Sequence, residues 1–539
     1  MLMPNSQPTL LSEEHSQREL RSTVVCRPVA ITLALGFCFL LLIPAAVQWG
    51  AGRPLAQGQA LSVPPSREEL DRYSRGVDES SILKMFVQPR LQEALTKWGG
   101  FGNERVAVGR DGQLHYGPGL RAAYGRPFLE AGYLRAKAKG MVDRDGLRDV
   151  HPNPLPAFQQ LAADCAMLGI RLIVVPAPEK AMVAGPGRIL HNADFDRFRS
   201  TVTGWGAEFL PMETLVEARD APWFLRQDTH WTPAFVERVA MALAARIGPG
   251  GGPPRYTRER RSVRSVGDLT GMLQLPTGQT LFAPEQVEVQ RLVDMPADDG
   301  AEVLLLGDSF TNIYSSQSLD WGEKAGLGEQ LAFHLNAPVR ILARNGAGAS
   351  VRHELPRAAA DGRMGSVRTL VYEFAERDLY LENWVPVPIG EVRRPAPAVS
   401  KTESARAPAA AESPALVVPP ASARPVQTVA AGLVVQATIL FLSKPMDPGS
   451  APYEDGLLYA KVKVDRVESG VYGTENAIVV FHAMEKRKLL RGGKHAVGEK
   501  VRLQLVKFSE APAGIQSMQR SDDTEDFDLT PYFVQRELP

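Results

Sequence analysis

Ala301-Glu302-Val303-Leu304-Leu305-Leu306-Gly307-Asp308-Ser309-Phe310 is the stretch on which the reading of this chain turns. Four consecutive apolar residues, Val303 to Leu306, predict a strand buried on both faces. A Gly, an acid and a Ser follow at once, where a turn must lead out of that strand. A serine on the turn after a buried strand is where α/β enzymes present a nucleophile. About eighty residues upstream stands Asp228-Thr229-His230-Trp231. A serine hydroxyl attacks only once a base takes its proton, and the base works best when a carboxylate fixes its tautomer. Ser309, His230 and Asp228 are therefore the candidate nucleophile, base and orienting acid. In an extended segment residues i and i+2 point to the same side, so Asp228 is expected to reach the imidazole of His230.

Outward from the serine, Val339 to Ala343 and Thr369 to Phe374 read as two further strands. The first ends at Arg344-Asn345-Gly346. If the sheet is parallel, these ends gather beside Ser309. Acyl transfer needs donors for a developing oxyanion. Candidates are the backbone N–H of Ser309 or Phe310, the Asn345 amide and the Gly346 N–H. Arg344 is a candidate for a carbonyl or carboxylate, and Tyr372 and Glu373 for orienting substrate. Arg344 reads equally well as a salt-bridge residue, and Tyr372 as a core aromatic.

Upstream, Phe158, Leu161, Cys165 and Leu168 mark one helix face, Gly169 stops the helix, and Ile170 to Val175 reads as a strand. Thr232 caps and Pro233 opens a helix carrying Phe235, Val239, Leu243 and Ile247, ended by Gly248. Helix, glycine and apolar strand in succession predict an α/β layered domain. Val106 to Tyr116 predicts a hairpin turning at Asp111-Gly112, and Ser66 to Trp98 reads as largely helical and charged.

The 539 residues imply roughly two to four domains. Lysine plus arginine and aspartate plus glutamate both number 61, which argues against nucleic acid as the main partner. Three cysteines, Cys26, Cys38 and Cys165, supply neither a disulfide framework nor a cysteine-based metal site. Metal ligation by Asp228 and His230 lacks a second cluster at ligand spacing, so no metal and no cofactor is expected.

Val29 to Val47 is apolar and uncharged, enough at about 1.5 Å per residue to span a hydrocarbon core of about 30 Å. Arg18, Arg21 and Arg27 precede it, favouring a cytoplasmic N-terminus and an exported remainder, in bacteria the periplasm. A cleaved signal peptide is the alternative. The expected organisation is a tail (1–28), an anchor (29–47), a spacer (48–77), the α/β domain (78–385), a Pro/Ala-rich linker (386–427) and a small β-rich domain (428–539). In the last, Leu433–Leu442, Leu457–Val467, Ala477–His482 and Lys500–Phe508 read as strands, and Glu485-Lys486-Arg487-Lys488 as a solvated hairpin tip.

Over roughly 78–384 these motifs resemble the SGNH-hydrolase-like alginate O-acetyltransferases of the AlgJ/AlgX type. The resemblance rests on Asp-Thr-His-Trp and Gly-Asp-Ser-Phe, on Gly102 to Val106 leading to Gly109-Arg110-Asp111-Gly112, and on Gly169 to Pro176 followed by Pro178-Glu179-Lys180. It includes the permuted order, acid and base before nucleophile. It implies a three-layer fold with a parallel sheet, Ser309, His230 and Asp228 as triad, and Arg344 and Tyr372 near the pocket. It also implies export, transfer of acetyl to exopolysaccharide hydroxyls, and a membrane-bound O-acyltransferase as partner. Three outcomes stay open: acetyl transfer to sugar, hydrolysis by the same triad, or a non-catalytic assembly component.

Overall fold

The computed structural model describes residues 27–50, 70, 73, 81, 83–109, 111–143, 147, 149–217, 222–294, 298, 300–392, 433–443, 448, 455–516, 518–521 and 530–538. The linker expected at 386–427 lies mostly outside them, as does most of the spacer. By contact density the chain divides into two units, one of residues 1–99 with 274–279 and the other of 100–273 with 280–539.

In the first unit Arg27–Gly50 is a 24-residue helix (α1) that runs through the apolar segment. Among the described residues no helix is long and apolar enough to cross a membrane. The side chains of 39–45, in the middle of α1, fall outside the described set. Gln88–Gly99 forms α2, preceded by a π turn at Leu83–Val87.

The second unit is built on a five-stranded parallel sheet. Its strands are β3 (Arg171–Ala177), β4 (Glu208–Phe209), β7 (Val303–Gly307), β8 (Val339–Ala343) and β9 (Thr369–Ala375), in the order β8-β7-β9-β3-β4. β7 is buried along its whole length and pairs on both sides, Leu304 with Arg340 and with Leu370. This accounts for its unbroken apolar run, since helices cover both faces of a parallel sheet. β3 continues two residues past the expected Val175. Pro176 and Ala177 stay in register with Phe374 and Ala375.

Alternation along the strands sends side chains into two cores. Ile173, Val175, Leu305, Val371 and Ala375 face one, packed under α4 (Pro233–Ile247) and α5 (Leu327–Leu335). Leu172, Val174, Leu304, Leu306, Leu370, Tyr372 and Phe374 face the other, under α3 (Leu155–Met167). Helices on both sides of the sheet make three layers. Gly169 ends α3 with φ 60°, the left-handed conformation expected of a helix-terminal glycine. Cys165 is buried on the face of α3 that packs into this core, where desolvation pushes its thiol up to about 12. A hairpin, β1 (Val106–Val108) with β2 (Leu114–Tyr116), turns through Gly112 at φ 75°. A second hairpin, β5 (Arg258–Ser265) with β6 (Glu285–Leu292), was not anticipated, because its charged, partly buried sequence carries little apolar alternation.

The C-terminal strands are β10 (Leu433–Leu442), β11 (Gly456–Ser469), β12 (Asn476–Glu485), β13 (Lys500–Lys507) and β14 (Pro531–Leu538). Pairing runs β10-β11-β12-β14-β13 and back to β10, with β12–β14 the parallel step. This closed circuit is a five-stranded Greek-key barrel of the OB type. Ala460, Val462, Val479 and Phe481 fill its interior. Leu457, Tyr459, Ile478 and Val480 point outward yet are also buried, beneath Phe508, Ile515 and Met518.

Candidate active site

The acid and base sit on a tight loop, not on the extended segment the spacing suggested. Phe224 bridges to Trp231 in antiparallel fashion, Leu225 N–H donates to the His230 carbonyl at 3.1 Å, and Thr232 N–H to Trp223 O at 3.0 Å. Thr232 then caps α4, its hydroxyl oxygen accepting from Phe235 N–H at 3.3 Å. The loop is pinned from outside as well. Glu285 takes the N–H groups of Arg226 and Gln227 at 2.9 and 2.6 Å. Lys180 Nζ donates to Leu114 O at 2.8 Å and Arg226 O at 3.1 Å.

The bend brings the Asp228 carboxylate back onto its neighbour. Its Oδ1 accepts from His230 N–H at 3.0 Å and lies 2.6 Å from His230 Nδ1. Its Oδ2 accepts from Trp321 Nε1 at 2.8 Å and from Asp268 N–H at 3.0 Å. On the far side of the ring, His230 Nε2 lies 2.7 Å from Ser309 Oγ. All three side chains are buried. Burial pulls the His230 imidazole down, but the Asp228 carboxylate beside it outweighs that and leaves it above its ordinary range. Asp228 is pushed up by burial and down more strongly by His230 and its hydrogen bonds, so it stays ionised.

Ser309 begins a short helix, Ser309–Asn312, off the end of β7. Asp308 is a staple for that turn. Its Oδ1 accepts from Phe310 N–H at 2.8 Å and its Oδ2 from Ala375 N–H at 2.9 Å. Below it, Glu373 Oε2 accepts from Asp308 N–H at 3.1 Å and Thr311 Oγ1 at 2.8 Å. Burial, then Asp308, raises the Glu373 carboxyl well above the carboxylate range.

Of the residues proposed from sequence, the structure brings Asp228, His230, Ser309 and Phe310 together and keeps Glu373 beneath the nucleophile turn. The Phe310 N–H is engaged by Asp308, which removes it as an oxyanion donor. Its ring instead covers His230 and Trp231, centroids 4.9 Å apart in each case. The Ser309 N–H makes no hydrogen bond among the described residues and is the better candidate. Asn345 joins the nucleophile helix through Asn312 Nδ2, which donates to its Oδ1 at 3.0 Å. Gly346 follows at φ 69°. Arg344 turns elsewhere, donating to Ser350 Oγ at 2.5 Å with Glu354 3.7 Å away. Tyr372 is fully buried among Phe158 and Phe374 and gives its hydroxyl to Gly348 O at 2.5 Å. It is a core residue rather than a pocket residue.

Sequence reasoning missed three participants: Asp268, Trp321 and Arg377. Arg377 donates to Glu179 Oε1 at 2.7 Å and lies 5.9 Å from the Phe310 ring centroid. Gly267-Asp268 reads as an ordinary helix start. Its approach is so close that a Cβ on Gly267 would stand 2.1 Å from Gln227 O. The sequence reading also counted no second carboxylate at ligand spacing around Asp228 and His230. Asp268 is one, with ligand atoms of all three within 4.8 Å of one another. Those atoms already face each other or Thr229 in hydrogen bonds, so the residues form a knit network rather than an open cage.

Residues 143–376 match the family model described as the SGNH hydrolase-like domain of acetyltransferase AlgX. No curated protein sequence matches. Among solved structures, the O-acetyltransferase domain of Pseudomonas putida AlgJ is 21% identical, TM-score 0.38, covering 52% of this chain and 93% of that one. Pseudomonas aeruginosa AlgX is 17% identical, TM-score 0.35, covering 51% of this chain and 63% of that one. Bacillus cereus PatB1 is 10% identical, TM-score 0.28, covering 51% and 97%. The family match over 143–376 spans both His230 and Ser309 and makes this part of the chain similar to the SGNH hydrolase-like acetyltransferase domain of the AlgX type.

Proposed function

We propose that this protein is a membrane-anchored periplasmic O-acetyltransferase that acetylates hydroxyls of an exopolysaccharide through an acetyl-serine. One observation carries the reading: Ser309 Oγ, His230 and Asp228 form an unbroken hydrogen-bonded chain, 2.7 and 2.6 Å long at its two links. In the first half-reaction Ser309 Oγ attacks the acetyl carbonyl carbon while its proton passes to His230 Nε2. The tetrahedral adduct collapses, the donor's leaving oxygen takes that proton, and the acetyl group stays on Oγ. In the second half a sugar hydroxyl gives its proton to His230 and attacks the acetyl-serine carbonyl carbon; the adduct collapses as the bond to Oγ breaks, Ser309 Oγ takes that proton back from His230, and the sugar leaves as the ester. The Ser309 N–H and the Asn345 amide are the donors proposed for the oxyanion. Asp228 steadies the imidazolium in both halves.

The acetyltransferase family match supports transfer over hydrolysis, as does a reacting Ser–His pair buried away from bulk water. The apolar stretch 29–47 supports the anchor, and the arginines before it support the orientation. A membrane-bound O-acyltransferase delivering acetyl across the inner membrane is the proposed partner.

The test is to incubate the full chain with an acetyl-ester donor and an oligosaccharide. Acetylated sugar is expected, and acetate as the sole product would make the protein an esterase. Ser309→Ala should lower turnover by at least about 10⁴-fold. Full activity in that variant would remove Ser309 from the chemistry. The chain should also stay with membranes through a high-salt wash, and release into the wash would count against the anchor.

A further inference from the structure

Asp268 lies behind the imidazole, forty residues from Asp228, where the nucleophile chemistry alone calls for no second acid. Its Oδ1 accepts from Thr229 N–H at 2.9 Å and its Oδ2 from Thr229 Oγ1 at 2.7 Å. The same Thr229 Oγ1 stands 3.1 Å from His230 Nδ1. A hydroxyl has a single proton. Because Thr229 spends it on Asp268, only lone pairs face Nδ1 from that oxygen. The other neighbour of Nδ1 is Asp228 Oδ1, also an acceptor. Every group facing Nδ1 therefore asks it for a proton, which leaves the lone pair on Nε2, toward Ser309 Oγ.

We propose that Asp268 is a positioning residue that acts through the Thr229 hydroxyl to lock His230 in the Nδ1–H tautomer needed to deprotonate Ser309. This rests on the proposed role of His230 as the base. The charged and titratable surroundings are consistent with it. Asp228, Asp268 and Arg377 act on His230. Lys180, in turn, feels Asp228, Asp268, Glu285 and Glu179. Burial and the nearby Asp228 raise Asp268, while His230 and the two Thr229 hydrogen bonds hold it down by favouring its charged form.

The arrangement makes a counterintuitive prediction. In Asp268→Asn the side-chain oxygen can still accept from Thr229 N–H, but the new NH₂ faces Thr229 Oγ1. The hydroxyl must then accept there and turn its proton toward Nδ1, favouring the wrong tautomer. Hydrolysis of p-nitrophenyl acetate by the full chain should show kcat down about 10- to 100-fold with KM unchanged, on the scale of losing one supporting hydrogen bond around a ligand histidine. The low-field Nδ1–H resonance in ¹H NMR should shift or vanish, and the acid limb of the kcat–pH profile should move. Thr229→Val removes the hydroxyl altogether, so adding it to Asp268→Asn should restore much of the lost kcat.

A purely structural role for Asp268 predicts the opposite, a double variant no better than Asp268→Asn. That result, or a normal kcat in Asp268→Asn, would overturn the inference. Should Asp268→Asn fail to fold, Thr229→Ser and Thr229→Val decide: Ser keeps the wild-type pH profile and Val shifts it, and identical profiles refute the coupling. An active Ser309→Ala would instead sink the triad reading itself, so the two failures are distinguishable.

Discussion

Glu373 shows how much of this site is held by groups fully buried beneath it. Two donors converge on its Oε2, and burial, then the neighbouring Asp308, raises the carboxyl well above the carboxylate range. A carboxyl raised in the folded state contributes stability that is present at acid pH and lost as pH rises through its folded value. Glu373→Gln keeps an acceptor for both donors and cannot ionise. It should match the wild type in turnover near neutrality and exceed it in thermal midpoint at alkaline pH. Glu373→Ala strands the Asp308 N–H and the Thr311 hydroxyl, at about 1–3 kcal/mol for each buried unpaired group, and should lower both midpoint and activity. Thermal melts at pH 6 and 9 separate the cases. The two motifs were legible because nucleophile, base and acid are each recognisable from their immediate neighbours. The parity of β9 was not: Glu373 shares the sheet face of Val371 and Ala375, while Tyr372 goes with Leu370 and Phe374 into the opposite core. Asp268 and Trp321 escaped for a different reason, since each reaches Asp228 only through tertiary folding.

Between elements, the cluster around His191 ties three segments into the unit that carries the site. His191 Nδ1 lies 2.7 Å from Glu376 Oε2, just past β9, and Nε2 lies 3.4 Å from Glu213 Oε1 on the short helix Met212–Leu215. Its ring stacks on Phe195 at 4.1 Å. Burial opposes the charged imidazole, but the two glutamates prevail and raise it to about 9. Glu213, bonded by His191, falls to about 2. The histidine's contribution is therefore complete below about pH 6.5 and lost as pH rises to about 9. That of Glu213 is complete above about pH 4.5 and lost toward about 2. Urea denaturation should show the protein losing about 1–3 kcal/mol between pH 6.5 and 9. His191→Gln should decline less than the wild type across that window, and an equal decline in the variant would remove this cluster as the cause. At this scale the main helices and the parallel strands were readable from period and punctuation. The β5–β6 hairpin was not, because its few apolar residues, Val263, Val287, Val289 and Leu292, are outnumbered by charged ones.

Across the whole molecule, the cores of the α/β layers and of the barrel draw on separate residues. Phe481, inside the barrel and 1% exposed, has its ring 4.9 Å from that of His495. Phe481→Ala should destabilise the barrel by about 3–5 kcal/mol, as a large core truncation does. Ester turnover per folded molecule should remain unchanged, since the site shares none of that packing. Parallel loss of activity would mean the barrel supports the chemistry. Four of the barrel's strands were visible as apolar alternation, but its closure was not, because the fifth strand completes the circuit from the far end of a long connection. The loop at 224–231 has one last implication, for timing during synthesis. Acid and base stand two residues apart and find each other locally, whereas the alcohol they serve lies 79 residues further along and arrives only when β7 enters the sheet. Long-range pairing is the slow part of folding. A growing chain that has not yet placed β7 thus holds an acid–base pair with nothing to activate, and reactivity switches on only once that strand is seated.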